Sequence, residues 1–235
     1  MQAKSYLPAA SACICSRAGD IVVIKMSVTA KKIANLKKEH IPDRVVYIAE
    51  YPLTLEEFYE LFGEDDNVEL IDGVVIPKIA AQDPHEDLFR FLFVLLALYV
   101  EEHDLGIVRG SRTLVPITHH KGRLPDILFV RKEREDIVGQ KGLTGAPDLA
   151  IEIISPGDTE MEIMQLQADY EQIGTKEFWI IDQPRKQVRA SLLDKATNIF
   201  VPIKLDGNIL HSEVITGFWL NIVRFWRNSV NRPSL

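Results

Sequence analysis

The sequence predicts an α/β domain: a mixed sheet flanked by helices, with additional antiparallel hairpins. Three observations carry that prediction. Helix-like and strand-like runs alternate through the middle of the chain, and a long apolar helix pattern follows a proline-marked start at Asp83. The last third closes with β-rich pairs separated by turn residues. With 235 residues, 46% of them hydrophobic and 26% charged, the chain is long enough for one generous core.

Residues 1–45 read as a flexible N-terminal arm and residues 46–235 as a single domain. Met26 is an alternative start, and "SVTAKKIANLKKEH" after it is basic and expected to be mobile. The apolar part of "MQAKSYLPAASACICSRAGD" is too short and weak for a signal peptide. Ordered structure is expected from "LTLEEFYEL", where Thr54 and Glu57 form a capping box ahead of the stripe Leu55, Phe58, Tyr59 and Phe62. In "VELIDGVVIPK", Asp72-Gly73 between two β-rich runs signals a hairpin. Asp83 is the candidate cap of the next helix, with Pro84 in its first turn. That helix should reach about His103 and be largely buried, since it is apolar on several faces.

"GIVRGSRTLVPIT" reads as one or two strands, and "LPDILFVRK" as a strand opening at Asp126. His119 and His120 look like a hairpin tip. A polar loop, 132–145, leads into the buried strand "PDLAIEIIS" and then a helix over 158–173 stopped by Gly174. "EFWIID" is another buried strand, with Trp179 in the core and Glu177 and Asp182 at its ends, expected to be solvated or paired with Arg185. "QVRASLL" and "IFVPIKL" form a closing antiparallel pair, with a turn at Asp206-Gly207-Asn208. The tail "FWLNIVRFWRNSV" suits a short amphipathic helix anchored by Trp219, Phe225 and Trp226.

Composition limits function. A net charge of −7 means the surface as a whole is no polyanion binder, so nucleic-acid contact needs a local basic patch or metal ions. Cys13 and Cys15 stand too close together to staple a fold, which favours a reducing cytoplasm. The richest apolar run, Leu88 to Val100, falls short of the roughly 18 residues of a membrane span and contains Arg90. No phosphate-cradling glycine loop, zinc cysteine pattern or nucleophile elbow is present.

The chemistry concentrates in carboxylates placed where apolar residues are expected. Asp126 opens a strand and shares a face with Leu128 and Val130; Glu152 shares a face with Ala150 and Ile154. If the two strands are neighbours, both carboxylates converge, with Glu69 a third in "VELIDG". Such an oxygen-rich site suits a hard divalent cation, magnesium best. The plainer alternative is that Asp126 caps its strand and Glu152 pairs with an internal Arg or Lys.

The ordered set "NVELIDGVVI", "PHEDLFRFLFVLL", "PDILFV", "PDLAIEIISPGDT" and "GTKEFWIID" resembles the Uma-two family, within the restriction-endonuclease-like PD-(D/E)XK nuclease superfamily. The likeness spans about Leu53 to Arg189. It implies a restriction-endonuclease-like mixed sheet and an endonuclease: a hydrolase that cuts DNA phosphodiester bonds with a magnesium or manganese ion. On that resemblance Asp126 and Glu152 are the metal ligands, and Glu69 and His85 lie close to the site. Pairing of two copies into a homodimer follows by analogy. The lysine the superfamily keeps two residues after the acidic strand residue is Ile154 here; the family's alternative position, four residues before Tyr170, is Leu166. Gln165, Gln167 and Lys176 stand nearby, and Tyr170 reads as core packing. A nuclease-fold module that binds nucleic acid or assembles with protein without cutting is therefore the rival reading. In a third, the acidic residues serve only the structure of an oligomer.

Overall fold

The computed structural model describes residues 36–41, 44–63, 66–78, 83–110 and 112–230. Met26, both cysteines and most of the expected arm lie outside them. The rest of that arm, together with the segment just after it, forms two paired strands, β1 (Lys37–Ile41) and β2 (Arg44–Ile48). Ordered structure thus begins ahead of "LTLEEFYEL". β2 carries Val46, Tyr47 and Ile48, a β-branched and aromatic run that suits a pleated surface. It joins the sheet through Tyr47, opposite Val75.

Helix α1 (Leu55–Leu61) is closed at its start by the expected capping box, with the Thr54 hydroxyl accepting from the Glu57 N–H and the Glu57 carboxylate accepting from the Thr54 N–H. β3 (Val68–Ile71) and β4 (Val74–Pro77) form the predicted hairpin, and Asp72 and Gly73 both adopt positive φ. A side chain on Gly73 would run into Pro52, so the turn and the approach to α1 both depend on that glycine. β3 also pairs with β7 (Lys121–Arg123), which pairs with β6 (Val115–Thr118). These strands make a six-stranded sheet in the order β1-β2-β4-β3-β7-β6.

The second six-stranded sheet runs β14-β13-β12-β11-β8-β5. Its members are β5 (Gly106–Gly110), β8 (Ile127–Arg131), β11 (Leu149–Ile154), β12 (Glu177–Asp182), β13 (Gln187–Asp194) and β14 (Ile199–Pro202). β11 is antiparallel to β8 and parallel to β12, which makes the sheet mixed. The parallel pair needs a crossover, supplied by helix α3 (Glu160–Ile173). Thr159 caps α3 and Gly174 ends it in the left-handed conformation. The expected polar loop holds a 3-10 turn (Lys132–Ile137) and a tiny hairpin, β9 (Val138–Gly139) with β10 (Gly142–Leu143).

Both faces of this sheet are covered. Helix α2 (Asp83–Glu102) lays Leu88, Leu92, Leu96 and Val100, spaced four apart, against Ile127, Phe129, Ile151, Ile153 and Trp179. The same core takes in a C-terminal hairpin, β15 (Ile209–His211) with β16 (Trp219–Asn221), and the start of helix α4 (Ile222–Val230). On the opposite face α3 packs Ile163 and Tyr170 against Leu128, Val130, Ala150, Ile154, Phe178 and Ile180.

Three expectations are corrected by this packing. α2 buries one stripe, while Val94 and Leu98 on its outer side are exposed. Trp219 is not an anchor: it is 54% exposed, and Phe225 takes that part. Glu177 is fully buried rather than solvated, accepting from the Trp179 indole, the Ser212 hydroxyl and the Glu213 and Val214 amides. Asp182 pairs with Arg185 as expected. Among the described residues no helix is long and apolar enough to cross a membrane.

Candidate active site

Register brings the carboxylates together. β8 and β11 pair Phe129 with Leu149, Leu128 with Ala150 and Ile127 with Ile151. Asp126 and Glu152 are the next residues beyond the Ile127–Ile151 end of this ladder, and the Asp126 Oδ2 accepts the Ile153 N–H at 2.8 Å. Glu152 emerges on the face that carries α3, alternating with Ile151 and Ile153, while Asp126 stands just ahead of β8, within reach of His85 from α2. Each is 6% exposed.

Side chains from three further elements meet this pair or lie beside it. His85, in the first turn of α2, places its Nε2 3.3 Å from the same Asp126 oxygen, while its Nδ1 makes no hydrogen bond. Tyr170, from α3, donates its hydroxyl to Glu152 Oε1 at 2.8 Å. Tyr170 is fully buried against Phe178, so it is core packing and site partner at once. Glu69, from β3, faces away from the Leu70–Val75 core and accepts the Leu124 N–H at 2.8 Å. The sequence signal for Tyr170 was its place on the α3 stripe, one side of which necessarily meets the sheet face that holds Glu152.

A residue the sequence reading passed over completes the cluster. Lys78 follows β4, and its ammonium donates to the Leu124 carbonyl at 2.7 Å and lies 3.7 Å from Glu69 Oε1. Lys176 goes elsewhere: it pairs at 2.6 Å with Asp148, a fully buried carboxylate that also holds Arg134. Ile154 and Leu166 take their expected places among apolar neighbours of the α3 core. The one available clue to Lys78 was its place two residues beyond Ile76, the strand partner of Glu69 and therefore on its face.

Charge within the cluster is mutually adjusted. Burial pushes the Glu152 carboxyl up to about 8, the Asp126 and Glu69 charges adding to it while Lys78 and the Tyr170 hydroxyl oppose. Burial works in the same sense on Asp126, but the His85 bond, the Lys78 charge and the Ile153 amide outweigh it and hold that carboxyl below its ordinary range. For Lys78, burial opposes the charge and the Glu69, Glu152 and Asp126 carboxylates overcome it, so its pKa is raised. Burial likewise lowers His85, and its bond to Asp126 reverses this into a net rise.

A second buried network braces the site. Arg123 spans Glu69 (3.4 Å) and Asp169 (2.6 Å), and Lys121 bonds Asp169 at 3.1 Å. Asp169 sits beside Tyr170 on α3, so the network ties that helix to β3 and β7.

A family model described as "Putative restriction endonuclease", that of Uma2, matches residues 55–223. The chain belongs to the Uma2 family. No curated protein matched it. Among solved structures, this Uma2 chain resembles "a putative nuclease belonging to DUF820" from Anabaena variabilis ATCC 29413, with 19% identity and a TM-score of 0.62. The match covers 76% of this chain and all of the other. At that identity the likeness establishes the fold, a nuclease-type mixed sheet flanked by helices.

In donor chemistry the Asp126 and Glu152 carboxylates would suit a hard divalent cation. Among the described residues no three His, Cys, Asp or Glu side chains converge into a metal cage. A cation here would rest on the Asp126 and Glu152 carboxylates with solvent filling its remaining positions, a ligand set that magnesium accepts. His85 and Tyr170 would serve as the outer partners that fix the two carboxylates.

Proposed function

We propose that this Uma2 protein is a divalent-metal-dependent endonuclease that hydrolyses phosphodiester bonds in DNA. The observation that carries the reading is the pairing of β8 with β11, which brings Asp126 and Glu152 to one end of the ladder, with each carboxylate held by a partner from a separate helix. Asp126 and Glu152 would hold a magnesium or manganese ion. Bound there, such an ion lowers the pKa of a coordinated water and neutralises charge on the phosphoryl group. His85 orients Asp126, Tyr170 orients Glu152, and Glu69 organises the basic residues beside them. A cytoplasmic location and pairing of two copies belong to the same proposal; sedimentation velocity separates a dimer from a single chain.

Incubation of the full chain with supercoiled plasmid and magnesium or manganese tests this directly. The wild type should nick, and the Asp126→Ala/Glu152→Ala double variant should not. Equal, background-level nicking by both would sink the reading. The rival, a catalytically impaired nuclease-fold module, draws support from Ile154 and Leu166, which put no charge where the family carries a lysine. It predicts nucleic-acid or protein binding without cleavage, so carboxylate-dependent nicking counts against it.

A further inference from the structure

Phosphodiester hydrolysis builds negative charge on the phosphoryl oxygens, and three buried carboxylates around the reacting group make that worse unless a cation is fixed among them. The geometry points to Lys78 as that cation: we propose that its ammonium balances Glu69, Asp126 and Glu152 and presents a proton to a non-bridging phosphate oxygen of the substrate. The proposal rests on the endonuclease reading above and names a residue that acts in it.

Three observations support the assignment. The Lys78 ammonium has three protons; one goes to the Leu124 carbonyl, at 2.7 Å, and Glu69 lies beyond hydrogen-bond range at 3.7 Å. Among the described residues, donors are therefore left for a ligand. Its side chain is 28% exposed, against 12% for Glu69 and 9% for Asp126, so it stands at the mouth of the cluster. Finally, the two cations of the neighbouring network are already engaged, Arg123 reaching Glu69 as well as Asp169. Arg123 is clamped on Asp169 through two nitrogens, and Lys121 is shared between Asp169 and Asp72. The Leu124 carbonyl belongs to the residue two before Asp126, so the contact that holds Lys78 also fixes its position relative to the metal-binding carboxylate.

A lysine in this role differs measurably from one that merely pins the β3–β4 hairpin. An ammonium beside the carboxylates repels an incoming divalent cation, so its removal strengthens metal binding even as it impairs catalysis. The test compares wild type, Lys78→Met, Lys78→Arg and Asp126→Ala as full chains. Two quantities are read: plasmid nicking with manganese, and manganese affinity by calorimetry without DNA. Lys78→Met should nick on the order of a hundredfold more slowly and bind manganese roughly tenfold more tightly. Lys78→Arg, which keeps the charge, should hold near-wild-type affinity and recover part of the nicking. Thermal unfolding confirms that each variant folds.

If Lys78→Met nicks like wild type while Asp126→Ala is inactive, the assignment to Lys78 is wrong and the endonuclease reading stands. If wild type nicks no better than Asp126→Ala, the endonuclease reading fails, and the substrate role of Lys78 with it. Manganese affinity that is unchanged or weakened in Lys78→Met overturns the charge-balancing role whatever the nicking shows.

Discussion

Asp169→Ala tests whether the buried network behind the site holds α3 in place. The Asp169 side chain is 1% exposed and takes Lys121 at 3.1 Å, Arg123 through Nε at 2.8 Å and Nη2 at 2.6 Å, and Gln165 at 2.9 Å. Its removal strands two cations whose side chains are 8% and 11% exposed and cannot swing into water. Breaking one partner of a buried pair costs about 3–5 kcal/mol. Asp72 at 3.2 Å and Glu69 at 3.4 Å remain to share the stranded charge, which favours the lower half of that range. Against a typical stability of roughly 5–15 kcal/mol this is a large fraction. Arg90→Ala is the control: its pair with Asp87 is exposed, and such pairs contribute below about 1 kcal/mol. Urea unfolding followed by circular dichroism gives both values if the two variants keep the wild-type m-value. A loss in Asp169→Ala no larger than in Arg90→Ala would refute the argument that this network is structural.

Two further buried carboxyls, one at the site and one away from it, are open to test. Tyr170→Phe keeps the ring packed on Phe178 and leaves the buried Glu152 carboxyl without that bond, so it should lose about 1–3 kcal/mol; in a Glu152→Ala background the loss should shrink, and an unchanged loss would separate the two residues. Asp148 is held below its ordinary pKa: burial opposes this, but the Arg131 N–H, Lys176 and Arg134 prevail. A depressed folded-state pKa contributes stability that is present above the unfolded value of about 3.9 and is lost as pH falls through the folded one. Urea midpoints from neutral pH downward should therefore drop in the acid range, and Asp148→Asn should flatten part of that drop; parallel curves would contradict the assignment.

Much of the fold was readable because local chemistry and tertiary demand agree here. The Thr54–Glu57 and Asp72-Gly73 signals are satisfied within a few residues, so no distant contact can overrule them. Glu152 stood out because a carboxylate in an otherwise apolar strand needs a partner, and Asp126 was found by the same alternation. Tyr170 and Lys78 were harder, because their roles depend on which elements meet across the core. An α3 tyrosine on an apolar stripe looks like packing until the helix docks on the Glu152 face. Lys78 lies 74 residues before Glu152, and only the pairing of β3 with β7 brings its hairpin beside Leu124 and Asp126. The early strands were missed because a basic, loosely patterned segment such as "LKKEHI" carries little apolar signal, and its order comes from sheet-edge pairing. Trp219 misled for the opposite reason: a large aromatic suggests burial, but strand alternation points Leu220 inward and leaves Trp219 out.

The central claim is that Asp126 and Glu152 together hold one divalent cation. Crystals soaked in manganese and measured at its absorption edge test it most directly. A single anomalous peak is expected between the Asp126 and Glu152 side chains, and none in Glu152→Gln. A peak elsewhere, or none between these two side chains, would contradict it.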